Sequence, residues 1–113
     1  MQDKIHIEVT FKNISNLPCV YMEKAVLEIV SLNRDRVKYS RLDIRTEAGR
    51  KRFLSLSCSL YGEKAVYVNH RLAPIPGLFI NGELMFDIIP SRQELEKAID
   101  DQLSKVGLAN GDS

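Results

Sequence analysis

The sequence predicts one α/β domain whose mixed sheet carries helices on both faces. The first indication is a strand, a helix and a strand between Ile5 and Ile44. Such a succession implies a parallel crossover. The second is Asn81-Gly82 between two short apolar runs, Leu78-Phe79-Ile80 and Leu84-Met85-Phe86. Both turn residues tolerate positive φ, the condition for a two-residue hairpin. The third is the need of a partly parallel sheet to have its second face covered, which assigns a helix to the middle of the chain.

The elements follow in order. Ile5, Ile7, Val9 and Phe11 alternate with His6, Glu8 and Thr10, a period of two and hence a strand. Ser15 or Asn16 can cap a helix, and Pro18 fits its first turn, where a missing N–H costs nothing. Met22, Val26, Ile29 and Val30 recur at helical spacing, so this helix is placed from about Leu17 to Leu32, with Asn33 and Arg34 ending it. Val37 to Ile44 reads as the second strand. Thr46 caps a second helix reaching to about residue 60, although Leu54, Leu56, Cys58 and Leu60 alternate with other residues in strand fashion. Val66-Tyr67-Val68 reads as a short extended piece before the kink at Pro74 and Pro76. Ile75-Pro76 is a candidate for a cis bond, against the trans state that X-Pro bonds generally favour. Ser91 with Glu94 forms a capping box for a last helix striped by Leu95, Ile99, Leu103 and Val106. The order is β-α-β-α-β-β-α, over a domain of residues 1–106 with a loose tail at 107–113.

Composition narrows the classes. The chain has 113 residues, 44% hydrophobic and 27% charged, with a formal charge of +1. That suits one core and supplies no global field toward nucleic acid or membrane. No apolar run reaches the roughly 20 residues of a membrane helix, and the N-terminus alternates rather than resembling a leader. Two cysteines, Cys19 and Cys58, are too few for a disulfide scaffold, which makes a reduced, cytoplasmic setting the expectation. His6 and His70 do not stand at metal-ligand spacing with either cysteine, and Gly62, Gly77 and Gly82 are isolated, so no metal and no cofactor is expected. Arg34, Arg36, Lys38, Arg41, Arg45, Arg50, Lys51 and Arg52 make the middle locally basic, interrupted by Asp35, Asp43 and Glu47. A solvated face or an acidic protein partner fits this better than nucleic acid, since no aromatics interleave.

From Ile5 to Leu103 the order of elements resembles the thioredoxin fold. Pro18-Cys19 opening the first helix resembles the end of that family's Cys-x-x-Cys motif. Arg41-Leu42-Asp43-Ile44 is similar to its central strand, Ile75-Pro76 to its cis-proline loop, and Phe79-Ile80-Asn81-Gly82 to the hairpin after it. The motif itself departs. In one register Cys19 takes the resolving place and Asn16 stands where the attacking thiol would be. In the other, Met22 replaces the second cysteine. Neither leaves a dithiol, and a lone attacking thiol is trapped as a mixed disulfide unless glutathione or Cys58 resolves it.

The resemblance implies a partner-binding groove formed by Asn16, Pro18 and Tyr21 on one side and Ile75, Pro76 and Gly77 on the other, with Cys19 as the reactive group. A helix N-terminus favours the thiolate form. The competing reading makes Cys19 a small buried hydrophobe. Two functions therefore stand side by side: residual single-thiol redox chemistry at Cys19, or a redox-inactive module for binding or assembly. The partner would be a protein, a thiol or a second copy of the chain.

Overall fold

The computed structural model describes residues 5–109. A four-stranded mixed sheet has the order β2-β1-β3-β4, with β1 (Ile5–Phe11) parallel to β2 (Val37–Asp43) and antiparallel to β3 (Leu78–Ile80), and β4 (Glu83–Phe86) antiparallel to β3. Helix α1 (Leu17–Val30) forms the β1-β2 crossover, α2 (Glu47–Tyr61) and the short α3 (Glu63–Tyr67) join β2 to β3, and α4 (Arg92–Ala109) closes the chain.

The period-two pattern of β1 decides the layers. Ile5, Ile7 and Val9 project to one face, where they pack with Met22, Val26 and Ile29 of α1 and Leu95, Ala98 and Ile99 of α4. These helical residues lie three or four apart, so each helix turns a single stripe inward. Each fully buried isoleucine or leucine here contributes about 1.5–3 kcal/mol. The opposite face holds a smaller cluster of Leu42, Phe53, Leu56, Ala73 and Phe79 under α2. The sheet is thus covered on both sides.

Caps act where their chemistry predicts. The Asn16 side chain accepts the Cys19 N–H at 3.1 Å. Thr46 Oγ1 accepts from Gly49 N at 2.9 Å. Ser91 and Glu94 bond reciprocally to each other's backbone N–H at 3.1 and 2.9 Å. Asn81 and Gly82 both have positive φ, 52° and 84°, and turn the β3-β4 hairpin.

Several boundaries differ from the sequence reading. Helix α1 stops at Val30 instead of Leu32: the Asn33 amide donates to the Ile29 carbonyl, and Leu32 has no face to bury in and stays exposed. Strand β2 ends at Asp43, whose carbonyl accepts from Thr46 Oγ1 and begins the turn into α2. The largest correction concerns Val66-Tyr67-Val68, which is not extended. Gly62, at φ 90°, ends α2 and lets the chain start a new helical turn, in which Val66 is buried and Val68 exposed. Helix α4 continues to Ala109, into the segment from 107 that the sequence reading takes as a loose tail. The side chain of Val106, and residues 110–113 of the expected tail, lie outside the described residues.

Candidate functional site

Thr10, one residue before the end of β1, holds the proline loop against the sheet. Its hydroxyl donates to the Pro74 carbonyl at 2.8 Å and accepts from Gly77 N at 2.6 Å, and its own N–H donates to the Gly77 carbonyl at 3.0 Å. The Ile75-Pro76 bond in this loop is cis. Gly77 is required by the close approach: a Cβ there would meet the Pro74 carbonyl oxygen at 2.8 Å. From Phe11 the chain turns through residues 12–16 into α1. The first turn of α1 and the clamped loop therefore meet the same end of β1, and Asn16, Pro18, Cys19 and Tyr21 share that end with Ile75, Pro76 and Gly77.

Their exposure differs. Cys19 has no accessible surface, while Pro18 and Tyr21 are exposed and Asn16, Ile75 and Pro76 are half-buried. Cys58 is half-buried on α2, whose core residues pack on the opposite face of the sheet from α1, and it lies beside the Tyr67 phenol; the negative charge of a Cys58 thiolate would push the Tyr67 pKa up. Both thiols are free.

Other residues at the same end were not anticipated. Strand β4 runs parallel to β1, so the segment after Phe86 emerges here too. Ile88 and Ile89 in that segment are 73% and 41% exposed, and Ile14 and Leu17 before α1 are 74% and 54% exposed. With Tyr21 and the half-buried Ile75 and Pro76, these apolar side chains make up the rim of the sheet at the C-terminal end of β1. Isolated apolar residues in polar loops were the available signal. Surface depressions follow the flank of α1 and its seam with α4, and neither includes Ile75, Pro76 or Gly77.

Next to the rim, Glu23 of α1 is the hub of a polar network. It accepts from Tyr39 Oη at 2.7 Å and from Arg41 at 2.8 and 2.6 Å, and the Arg41 guanidinium stacks 4.1 Å from the centre of the Phe11 ring. The hydrogen bonds from Arg41 hold the Glu23 carboxyl below its usual range, against an opposing effect of burial. Burial first, then the Glu23 carboxylate, pushes the Tyr39 phenol far above its ordinary value. The native state thus binds the Tyr39 proton more tightly than the unfolded chain does. This contribution to stability is complete below the unfolded tyrosine pKa of about 10 and is lost as pH rises above it. Chemical denaturation at pH 9 and pH 11 should show a steeper loss for the native sequence than for Tyr39→Phe; parallel losses would contradict it.

Among the described residues no group of three or more His, Cys, Asp or Glu side chains is placed to hold a metal ion, and no helix is long and apolar enough to cross a membrane. The chain matches no protein-family model and no curated protein.

Proposed function

We propose that this protein is a thioredoxin-like module that binds a partner protein through its apolar rim and has lost dithiol chemistry. The observation that carries this reading is the contrast at the start of α1: Cys19 is fully buried, while Ile14, Leu17 and Tyr21 around it face solvent. A thiol attacks only when its sulfur can be reached. Contiguous exposed apolar side chains mark interaction surfaces. The strand order, the cis-proline loop and the helix that starts beside it support the thioredoxin-like assignment. Single-thiol redox chemistry at Cys19 is the second reading. It is favoured by the residue's place in the first turn of α1 and would require that turn to open.

Thiol modification followed by mass spectrometry separates the two readings. With glutathione disulfide or a maleimide, Cys58 should react first and Cys19 only on unfolding, at least about 100-fold more slowly than a free thiol. Rapid mixed-disulfide formation at Cys19 in the native protein, absent in Cys19→Ser, would overturn the binding reading. For the surface, extended peptides selected for binding should lose affinity with Leu17→Asp and Ile88→Asp. Sedimentation across a concentration range shows whether the partner is a second copy.

A further inference from the structure

At the opposite end of the sheet, among the described residues on the α2 side, Lys38 is exposed and His6 and Ser40 are half-buried, and these polar groups are not accounted for by the rim. In a sheet covered on both faces, the inner strand is expected to be apolar on both sides. The second side of β1 instead carries His6, Glu8 and Thr10. Thr10 is used by the proline loop. Glu8 is buried and doubly bonded by Arg52 at 2.9 and 2.8 Å. Among the described residues the His6 side chain hydrogen-bonds only with Ser40, its Nε2 standing 2.8 Å from the Ser40 hydroxyl, and both are half-buried. Lys38 is paired with His6 in the β1-β2 register, shares its face and is exposed, with no ion pair among the described residues. On the other flank, Asn81 spends its Oδ1 on the His6 N–H at 2.9 Å, which leaves its amide N–H groups for another acceptor. The Arg52 guanidinium reaches the same turn, 3.9 Å from where a Cβ on Gly82 would stand.

We propose that His6, Lys38, Ser40 and Asn81 form a binding site for a phosphate group, free or as a monoester, on the α2-side face at that end. Among the described residues this face offers the Lys38 ammonium, the Asn81 amide N–H groups, and the His6–Ser40 pair, in which one group donates to the other and one N–H or O–H is left to donate outward. The Glu8 carboxylate beside them is already paired with Arg52. Such a set of donors fits an oxyanion, and charge-assisted hydrogen bonds from Lys38 supply the largest share of its binding. The site is independent of the rim and lies at the other end of the strands.

The test uses the full chain, titrated with inorganic phosphate at constant ionic strength and followed by backbone amide NMR. Saturable shifts are expected at His6, Lys38, Ser40 and Asn81. Lys38→Ala should weaken binding about tenfold or more, and Lys24→Ala on α1 should leave it unchanged. Lys38 is exposed, so its replacement leaves the fold intact, which circular dichroism verifies. Shifts that do not saturate, that spread over the basic residues generally, or that respond equally to the two substitutions would overturn the site. A parallel titration with methyl phosphate identifies the source: tighter binding than phosphate assigns a monoester, and weaker binding assigns the free ion.

Discussion

Gly49→Ala is expected to destabilise the protein by about 2–3 kcal/mol, and to lower its melting temperature by on the order of 10 °C. The sign is the interesting part. A glycine inside a helix is normally improved by alanine, by about 1 kcal/mol, because alanine loses less backbone entropy. Here the added Cβ would collide with the carbonyl oxygen of Asp43 and stand 2.8 Å from Thr46 Oγ1. Neither neighbour can step aside cheaply. The Asp43 carbonyl accepts from both the N–H and the hydroxyl of Thr46, and the same hydroxyl caps Gly49 N. A methyl group must therefore push the first turn of α2 off the end of β2, losing a cap worth about 1 kcal/mol on top of the overpacking. Thr46→Ala should cost only that cap, about 1 kcal/mol. Urea denaturation of both variants checks the order. A stabilised Gly49→Ala protein would mean that α2 does not approach β2 this closely.

That glycine illustrates what the chain order conveys and what it hides. The strands and long helices were legible because each repeats its pattern: period two over Ile5 to Phe11, and three-to-four spacing over Met22, Val26 and Ile29. Helix α3 was not, because a five-residue helix is too short to display a period. The alternation in β1 was visible, but not that its polar side goes inward. Glu8 and Thr10 are satisfied by groups 44 and 67 positions away, and no local pattern announces such partners. At the candidate site, the proline loop was legible from Ile75-Pro76 preceding a strand. The burial of Cys19 was also within reach, since the inward stripe of Met22 and Val26 extends back one turn to position 19. The rim needed the sheet order, because only the direction of β4 brings Ile88 and Ile89 to the end where Leu17 stands.

The inward polar side of β1 also sets the second large effect. Arg52→Ala should cost about 2–3 kcal/mol in chemical denaturation. The Glu8 side chain is 5% exposed and accepts two hydrogen bonds from one guanidinium, so removal of Arg52 strands a buried carboxylate. Breaking a fully buried pair costs about 3–5 kcal/mol, and the partial exposure of Arg52, 41%, places the effect below that range because water can partly replace it. Arg52→Lys keeps the charge but not the planar fork and should recover only part of the loss. Replacing both partners, as Glu8→Leu with Arg52→Leu, should recover most of it, because the cost lies in the orphaned charge and not in an absent attraction. The same comparison separates the pair from the phosphate site: Lys38→Ala should leave stability unchanged where Arg52→Ala does not. If Arg52→Ala were as stable as the native protein, Glu8 would have to be reached by water in solution, and the inward side of β1 would then be wetted beyond the half-buried His6.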